Sequence, residues 1–339
     1  MKKLIMLAIL ITGFAQINYA QVCKVVNRIH LEGDGRWDYI TVDSESNTAY
    51  ESHGDIVQVV DLSTGKVLGT IKELSGVHGA TFAKEFNKGF ISNGRTSTVT
   101  VFDLTTFKTL ETIKVTGQNP DAILYDPASK LVFTFNGRTS DATVIDAKTN
   151  EVKATIKLDG KPEFPQTDLK GIIYVNIEDK SEIQVIDTKT LKVINKWSIA
   201  PGEEPSGLAL DNENHILFSV CSNKMMIISD AKAGKVITNL PIGGGCDGVA
   251  FDPTLKMAFS ANGDGTITVV KEISKDKFVV VETAKTQTSA RTIAVNTKTH
   301  HLYLPAAEFN PKPEPTTENP KPRATLKSGS FVILDVEAK

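Results

Sequence analysis

The 339-residue sequence is short of features that would name a chemistry. It contains no Walker loop, no H-E-x-x-H, no G-x-S-x-G and no Cys-x-x-Cys, so the common phosphate, zinc-protease, hydrolase and redox signatures are absent. Helical periodicity is missing over any useful length, which argues against helical bundles and α/β folds. No apolar run is long enough to span a bilayer as a helix. Positive charge is not in excess either, with 38 Lys and Arg against 40 Asp and Glu. Nucleic acid is bound largely through phosphate neutralisation, so it is an unlikely partner for this charge balance.

What is present is a period. Val101-Phe102-Asp103, Val144-Ile145-Asp146, Val185-Ile186-Asp187 and Ile228-Ser229-Asp230 each precede a polar corner, as Asp61 precedes Ser63-Thr64-Gly65-Lys66. Counting from Asp61, the aspartates are spaced by 42, 43, 41 and 43 residues. Short apolar runs between turn signals at this step make one four-stranded propeller blade. In the third unit, Ala122–Tyr125, Leu131–Phe135, Ala142–Ile145 and Glu151–Leu158 read as strands a, b, c and d, and Asp126-Pro127 and Asn136-Gly137 turn signals punctuate them. First strands end at Asp43, Lys84, Asp126, Asp168, Asp211, Asp252 and Asn296, which makes seven units. The fold expected is all-β, a seven-bladed β-propeller of four-stranded antiparallel blades.

The seventh unit runs out of chain after strand c, Phe331–Asp335. Lys24–Ile29 matches Lys66–Ile71, strand d of the first blade, so the N-terminal strand is expected to pair with the C-terminal blade and close the ring. Closure leaves only short, protected edges.

Residues 1–20 read as a signal peptide: Met1-Lys2-Lys3, an apolar stretch from Leu4 to Phe14 and a small residue at Ala20. The domain is then 21–339, periplasmic or secreted, with 36 basic against 40 acidic residues and a net charge of about −4. Export permits disulfides. Cys221 ends strand b of blade five and Cys246 enters blade six, which makes them a candidate bridge against the alternative of two buried thiols; Cys23 would be left over near the seam. Blade seven also carries a Pro-rich insertion at 305–330, including Pro305, Pro311, Pro313, Pro315, Pro320 and Pro322, which emerges beside the channel mouth as a lid or partner arm, or as a neutral insertion.

Strand order sends the b–c and d–a connections to one face, here the top, and the a–b and c–d corners to the bottom. Bottom corners repeat and top loops differ, so the candidate ligand site is the top opening. Its residues are Arg36, Trp37, Asp38, His78, Asp121, Glu163, Asp247 and Arg291 from the loops leading into the innermost strands, and His53, Arg95, Arg138 and Glu178 from the b–c turns. Asn93-Gly94-Arg95 and Asn136-Gly137-Arg138 use turn residues that Asn262-Gly263-Asp264 shares, without the arginine. The turn does not need a guanidinium, and two on neighbouring blades suggest a small anionic partner. No cofactor is expected from any motif. A divalent metal is the one chemically reasonable addition, on His78, Asp121 and Glu163.

Ile173-Tyr174-Val175-Asn176 followed by Ile183-Gln184-Val185-Ile186-Asp187 resembles the repeat of the YVTN and YncE-like family of exported bacterial β-propellers, a pattern shared by archaeal surface-layer propellers. The likeness covers nearly the whole chain after residue 20 and implies the same fold. Its motif residues are strand and turn positions and imply no catalytic role. Some members bind single-stranded DNA, which the acidic balance here opposes. The expectation is an exported module that binds a ligand or an envelope protein partner at its top face. The alternatives are a metal-dependent lactonase- or lyase-like propeller enzyme and a structural component of the envelope.

Overall fold

The computed structural model describes residues 21–33, 35–317 and 320–339. The signal-peptide reading lies outside these residues. Seven four-stranded antiparallel sheets are present, each built in the order a-b-c-d. The innermost strands are Trp37–Asp43, Val77–Ala83, Pro120–Asp126, Pro162–Thr167, Pro205–Asp211, Cys246–Asp252 and Ala294–Asn296. In the seventh blade Ala294–Asn296, His301–Ala306 and Val332–Ala338 are followed by Cys23–His30 from the other end of the chain. That closing strand runs antiparallel from Cys23 opposite Ala338 to His30 opposite Val332, as the match to strand d implied.

Hydrophobic burial is between blades. Tyr50, Val57, Val59 and Ile71 of blade one pack on Ile91 and Phe102 of blade two. Phe102 is fully buried, worth about 1.5–3 kcal/mol for such a side chain. Gly89 makes room for it, because a Cβ there would lie 2.0 Å from the Phe102 ring. The closing seam is equally dry: Ile29, Trp37, Ile40 and Val60 meet Phe331 and Ile333.

The recurring aspartates are turn caps. Asp61, Asp103, Asp146, Asp187 and Asp230 each accept backbone N–H groups from two and three residues on; for Asp187 these are Lys189 and Thr190, at 2.9 and 2.7 Å. Backbone donors hold the carboxyls of Asp61, Asp103, Asp146 and Asp187 below the ordinary carboxylate range. Each corner then passes through a left-handed residue, occupied by Gly65, Phe107, Asn150, Leu191 and Gly234. The shared carboxylate, more than a shared glycine, defines the corner.

On the top face the Asn-Gly reading needs correction. Gly94–Ser97 and Gly137–Ser140 are four-residue loops whose left-handed positions are Ser97 and Ser140. Asn93, Asn136 and Asn262 are buried strand ends whose amides donate to Thr100, Thr143 and Thr268 of strand c.

The candidate Cys221–Cys246 disulfide is not formed, and the alternative of two buried thiols is what the structure has. Both are buried free thiols, and Cys246 Sγ turns onto the carbonyl oxygen of Cys221, 3.2 Å away. Cys221 Sγ is packed against Gly202, where a Cβ would come within 2.7 Å of it. Burial pushes both thiols up to about 12, so they stay protonated.

The insertion leaves strand b only after Ala306, so Pro305 belongs to the blade. Its base is a short hairpin: Phe309 bridges Leu326, and Glu308 pairs with Lys327 at 2.7 Å. Phe309 rests on the Trp37 ring, 6.1 Å between centroids.

Candidate functional site

One register position recurs in six of the seven blades at the top of the channel. Trp37, Val77, Pro120, Pro162, Pro205 and Cys246 open their innermost strands opposite the last residue of strand b. Immediately after each of them the pairing register shifts. Such a bulge re-aims the side chains that follow it. The residue following the opening position is Asp38, His78, Asp121, Glu163, Ser206 and Asp247 in turn, with Arg291 after Ala290 in blade seven. The Arg291 carbonyl accepts the amides of Asp247 and Gly248 at 3.3 and 2.9 Å, which fixes it beside the ring.

These seven residues form the rim, and aromatic rings lie beneath them. Tyr39 and Phe164, the next residues in blades one and four, meet edge to face at 4.8 Å across the bore. Below, strands a of all seven blades line a cavity of about 390 Å³, including Ile40, Ala80, Leu124, Leu210, Val249 and Ile293. Gly207 lets blades five and six close up here, since a Cβ would lie 2.9 Å from the Gly248 Cα.

The rim is a network of opposed charges. His78 Nδ1 donates to Asp38 Oδ2 at 2.6 Å and lies 3.3 Å from Asp121 Oδ1. Arg291 Nε donates to Asp247 Oδ2 at 2.7 Å, and its guanidinium also reaches Asp38 at 3.7 Å. Lys161 pairs with Glu163 at 2.7 Å and also with Glu178. Burial alone would lower the His78 imidazole, but the Asp38 hydrogen bond and the Asp121 and Asp38 charges outweigh it and bring it up to about 9. Burial raises Glu163 to about 8, helped by the Asp121 charge and opposed by Lys161. Asp121 and Asp247 are raised as well, by burial first, against the pull of His78 and Arg291 respectively. Tyr39 is raised well above the usual phenol range by burial and by the carboxylates of Asp121, Glu163, Asp38 and Asp247.

Of the residues singled out in the sequence, Asp38, His78, Asp121, Glu163, Asp247 and Arg291 are brought together, with Glu178 behind Lys161. The others are not. Trp37 is buried, its ring tilted against Phe331 at 5.3 Å with the Arg291 guanidinium 6.0 Å from its ring centre; it is a wall and not a platform. His53 is buried in the blade-seven seam, stacked on Phe331 at 4.1 Å with Nδ1 3.2 Å from Gln58. Arg36 is exposed and contributes its carbonyl to Gly54 N at 2.7 Å. Arg95 and Arg138 are exposed and line, with Lys114 and Gln118, a separate groove of about 420 Å³ between blades two and three; Arg95 lies 3.5 Å from Asp55. For metal ligation, His78 and Asp121 are joined by Asp38 and not by Glu163, which Lys161 draws away.

Lys161, Tyr39, Phe164 and Ser206 were missed as site residues. Counting five residues back from Asp43, Asp126, Asp168, Asp211, Asp252 and Asn296 gives six of the seven rim residues, Ser206 included, while the same count from Lys84 gives Gly79, one residue past His78. Glu51 carried no such signal. It is fully buried in strand b of blade one, neither carboxyl oxygen has a hydrogen-bond partner, and burial with the Asp38 charge raises it far above the carboxylate range.

No protein-family model matches the chain, and no curated protein sequence matches it. Among solved structures, hydrazine synthase from Kuenenia stuttgartiensis aligns with a TM-score of 0.69 at 18% identity, over 81% of this chain and 94% of that one. The likeness is one of fold. A seven-bladed propeller is in general a binding or scaffold module, and the chemistry has to come from the rim.

Proposed function

We propose that the protein is an exported binding module of the YVTN/YncE-like kind that seats a small polar ligand on the rim of its channel. The observation that carries this reading is the ring itself. Six of seven blades place an ionisable side chain on the rim, above an aromatic floor. Four of the six are carboxylates, so the ligand presents positive charge or several hydrogen-bond donors to them. The small anionic partner suggested by Arg95 and Arg138 belongs to the groove between blades two and three.

The test is a thermal-shift and calorimetric screen of small amines, with acidic metabolites as the contrast. An amine that binds should lose about tenfold or more in affinity on Asp247→Asn, the loss of one charge-assisted contact. Arg95→Gln with Arg138→Gln should leave that affinity unchanged. Binding of acids alone, lost in the double arginine variant, would move the ligand site to the groove.

An enzyme is the second reading, favoured by one observation: on the same rim Glu163 is raised to about 8 and His78 to about 9. Groups held at different pKa values on one rim suit acid–base chemistry. Hydrolysis of simple lactones that disappears in Glu163→Gln would support it.

A further inference from the structure

The half of the rim formed by blades one to three has an unresolved charge. His78 Nδ1 faces two carboxylates, Asp38 Oδ2 at 2.6 Å and Asp121 Oδ1 at 3.3 Å, and a single N–H can satisfy only one of them. Among the described residues Asp121 has no other ion-pair partner, whereas Asp247 has Arg291 and Glu163 has Lys161. The His78 Nε2 lies against the Gly94 backbone, where even a Cβ would come within 2.5 Å, so Nδ1 is the nitrogen directed at the acids. Below them the Tyr39 hydroxyl, surrounded by the same carboxylates, makes no hydrogen bond to any described residue.

We propose that Asp38, His78 and Asp121 bind one divalent first-row metal ion at the channel mouth, through His78 Nδ1 and one oxygen of each carboxylate. The three ligand atoms lie within 4.8 Å of one another, so side-chain shifts of a fraction of an ångström bring them to the separations of about 4 Å or less that bonds near 2 Å require. Each ligand comes from a different blade, and each is carried just after the recurrent bulge, so the ring geometry and not a flexible loop sets their separation. An imidazole with two carboxylates favours manganese or zinc over calcium, which prefers an all-oxygen shell. Three protein ligands leave positions open toward the bore, where the Tyr39 hydroxyl and a ligand's donor atoms lie. This proposal rests on the rim being the ligand site, and it specifies what half of that rim holds.

The experiment is calorimetric titration of the chelator-treated intact domain with Mn²⁺ and Zn²⁺ at pH 7.5, in two buffers of different ionisation enthalpy. The expected result is one ion per chain, with about one proton released as the metal displaces the His78 proton. His78→Gln and Asp121→Asn should each weaken binding at least tenfold, while Asp159→Asn, an exposed acid on the outer strand side, should not. A measurement on the unmodified protein guards against misfolded variants: substoichiometric Mn²⁺ should broaden the imidazole signals of His78 well before those of His215, His300 and His301. Absence of stoichiometric binding by the folded protein, or binding unchanged in His78→Gln, overturns the proposal. The amine screen is run on metal-free protein, so loss of the metal site leaves the rim reading standing. A metal that binds where no organic ligand does would separate the two in the other direction.

Discussion

The two faces of this disc are built from the same strands and have opposite logic. At the bottom, five blades place the same carboxylate at the same c–d corner, and each serves its own turn. At the top, seven blades place five kinds of side chain around one rim, and these serve one another across blades. Bottom aspartates are mostly solvated and keep their charge easily. On the rim, Glu163 is buried and Asp121 and Asp247 are half-buried, and their raised values mean that they hold their charge less easily. Where the repeat is kept, the residue answers to the blade; where it is broken at a constant position, it answers to something outside the blade.

Both faces depend on the ring being closed, so the change with the largest effect is to open it. Deleting Val22–Leu31 removes the outer strand of blade seven, exposes the ladder of Val332–Ala338 and strips Ile29 and Leu31 from the seam. Because blades stabilise one another through shared interfaces, the loss should spread. We expect Tm to fall by more than about 10 °C, the scale of several kcal/mol in a domain of this size. A truncated protein melting within a few degrees of the intact one would mean that blade seven is dispensable to both faces.

Proton linkage separates the faces next. His78, Glu163 and Asp121 all have raised values in the folded state, so the native rim holds more protons than the unfolded chain. The His78 contribution is complete below its unfolded value near 6.5 and is lost as pH rises through about 9; the two acids cost stability increasingly above about 4.5. The bottom caps work the other way, since their lowered values stabilise above the unfolded carboxylate range and fail as pH falls below it. Tm should therefore fall from pH 6 to pH 9, and separately in acid. Glu163→Gln should flatten the alkaline limb and leave the acid limb in place. Equal flattening of both limbs would show that the rim does not titrate as a unit. Glu51→Val tests the same limb from within the blade, where Ile91 and Val175 occupy the equivalent places in strand b. Removing an unpartnered buried acid should raise Tm, more at pH 8 than at pH 5.

The periodic half of the molecule was legible in the sequence because its signals are local. Val-Ile-Asp before a polar corner, and Lys24–Ile29 matching Lys66–Ile71, locate strands and the closure without any tertiary knowledge. The rim was legible as a set of loops but not as a set of side chains. Trp37 and Asp38 are neighbours in sequence, yet a bulge turns one into the seam and the other to the bore. Arg95 and Arg138 follow turns whose shape was read from Asn-Gly, while the left-handed residue actually comes three positions after Gly94 and Gly137, and the arginines point outward. The cysteines were correctly placed on adjacent strand ends, but thiol direction depends on packing against Gly202 and the Cys221 carbonyl.

The smallest expected effect is at a single bottom corner. Asp146 accepts Lys148 N at 2.9 Å and Thr149 N at 3.0 Å, and Asn150 then takes the left-handed conformation that turns the chain into strand d. Asp146→Ala removes the one oxygen, Oδ1, that accepts both amides, but the freed amides lie at the surface, where water replaces the carboxylate at little cost. The blade interface is untouched, since Val144 and Ile145 remain buried. One such loss is worth about 1 kcal/mol, which in a domain of this size lowers Tm by roughly 2 °C or slightly more. Metal and ligand affinity at the rim should be unchanged, because the corner and the rim lie at opposite ends of the blade. If Asp146→Ala weakens binding at the rim, the faces are coupled through the strands and the separation of fold from site made here fails. If instead it melts the protein as deeply as the strand deletion does, the corner carboxylates carry the ring and the interfaces between blades do not.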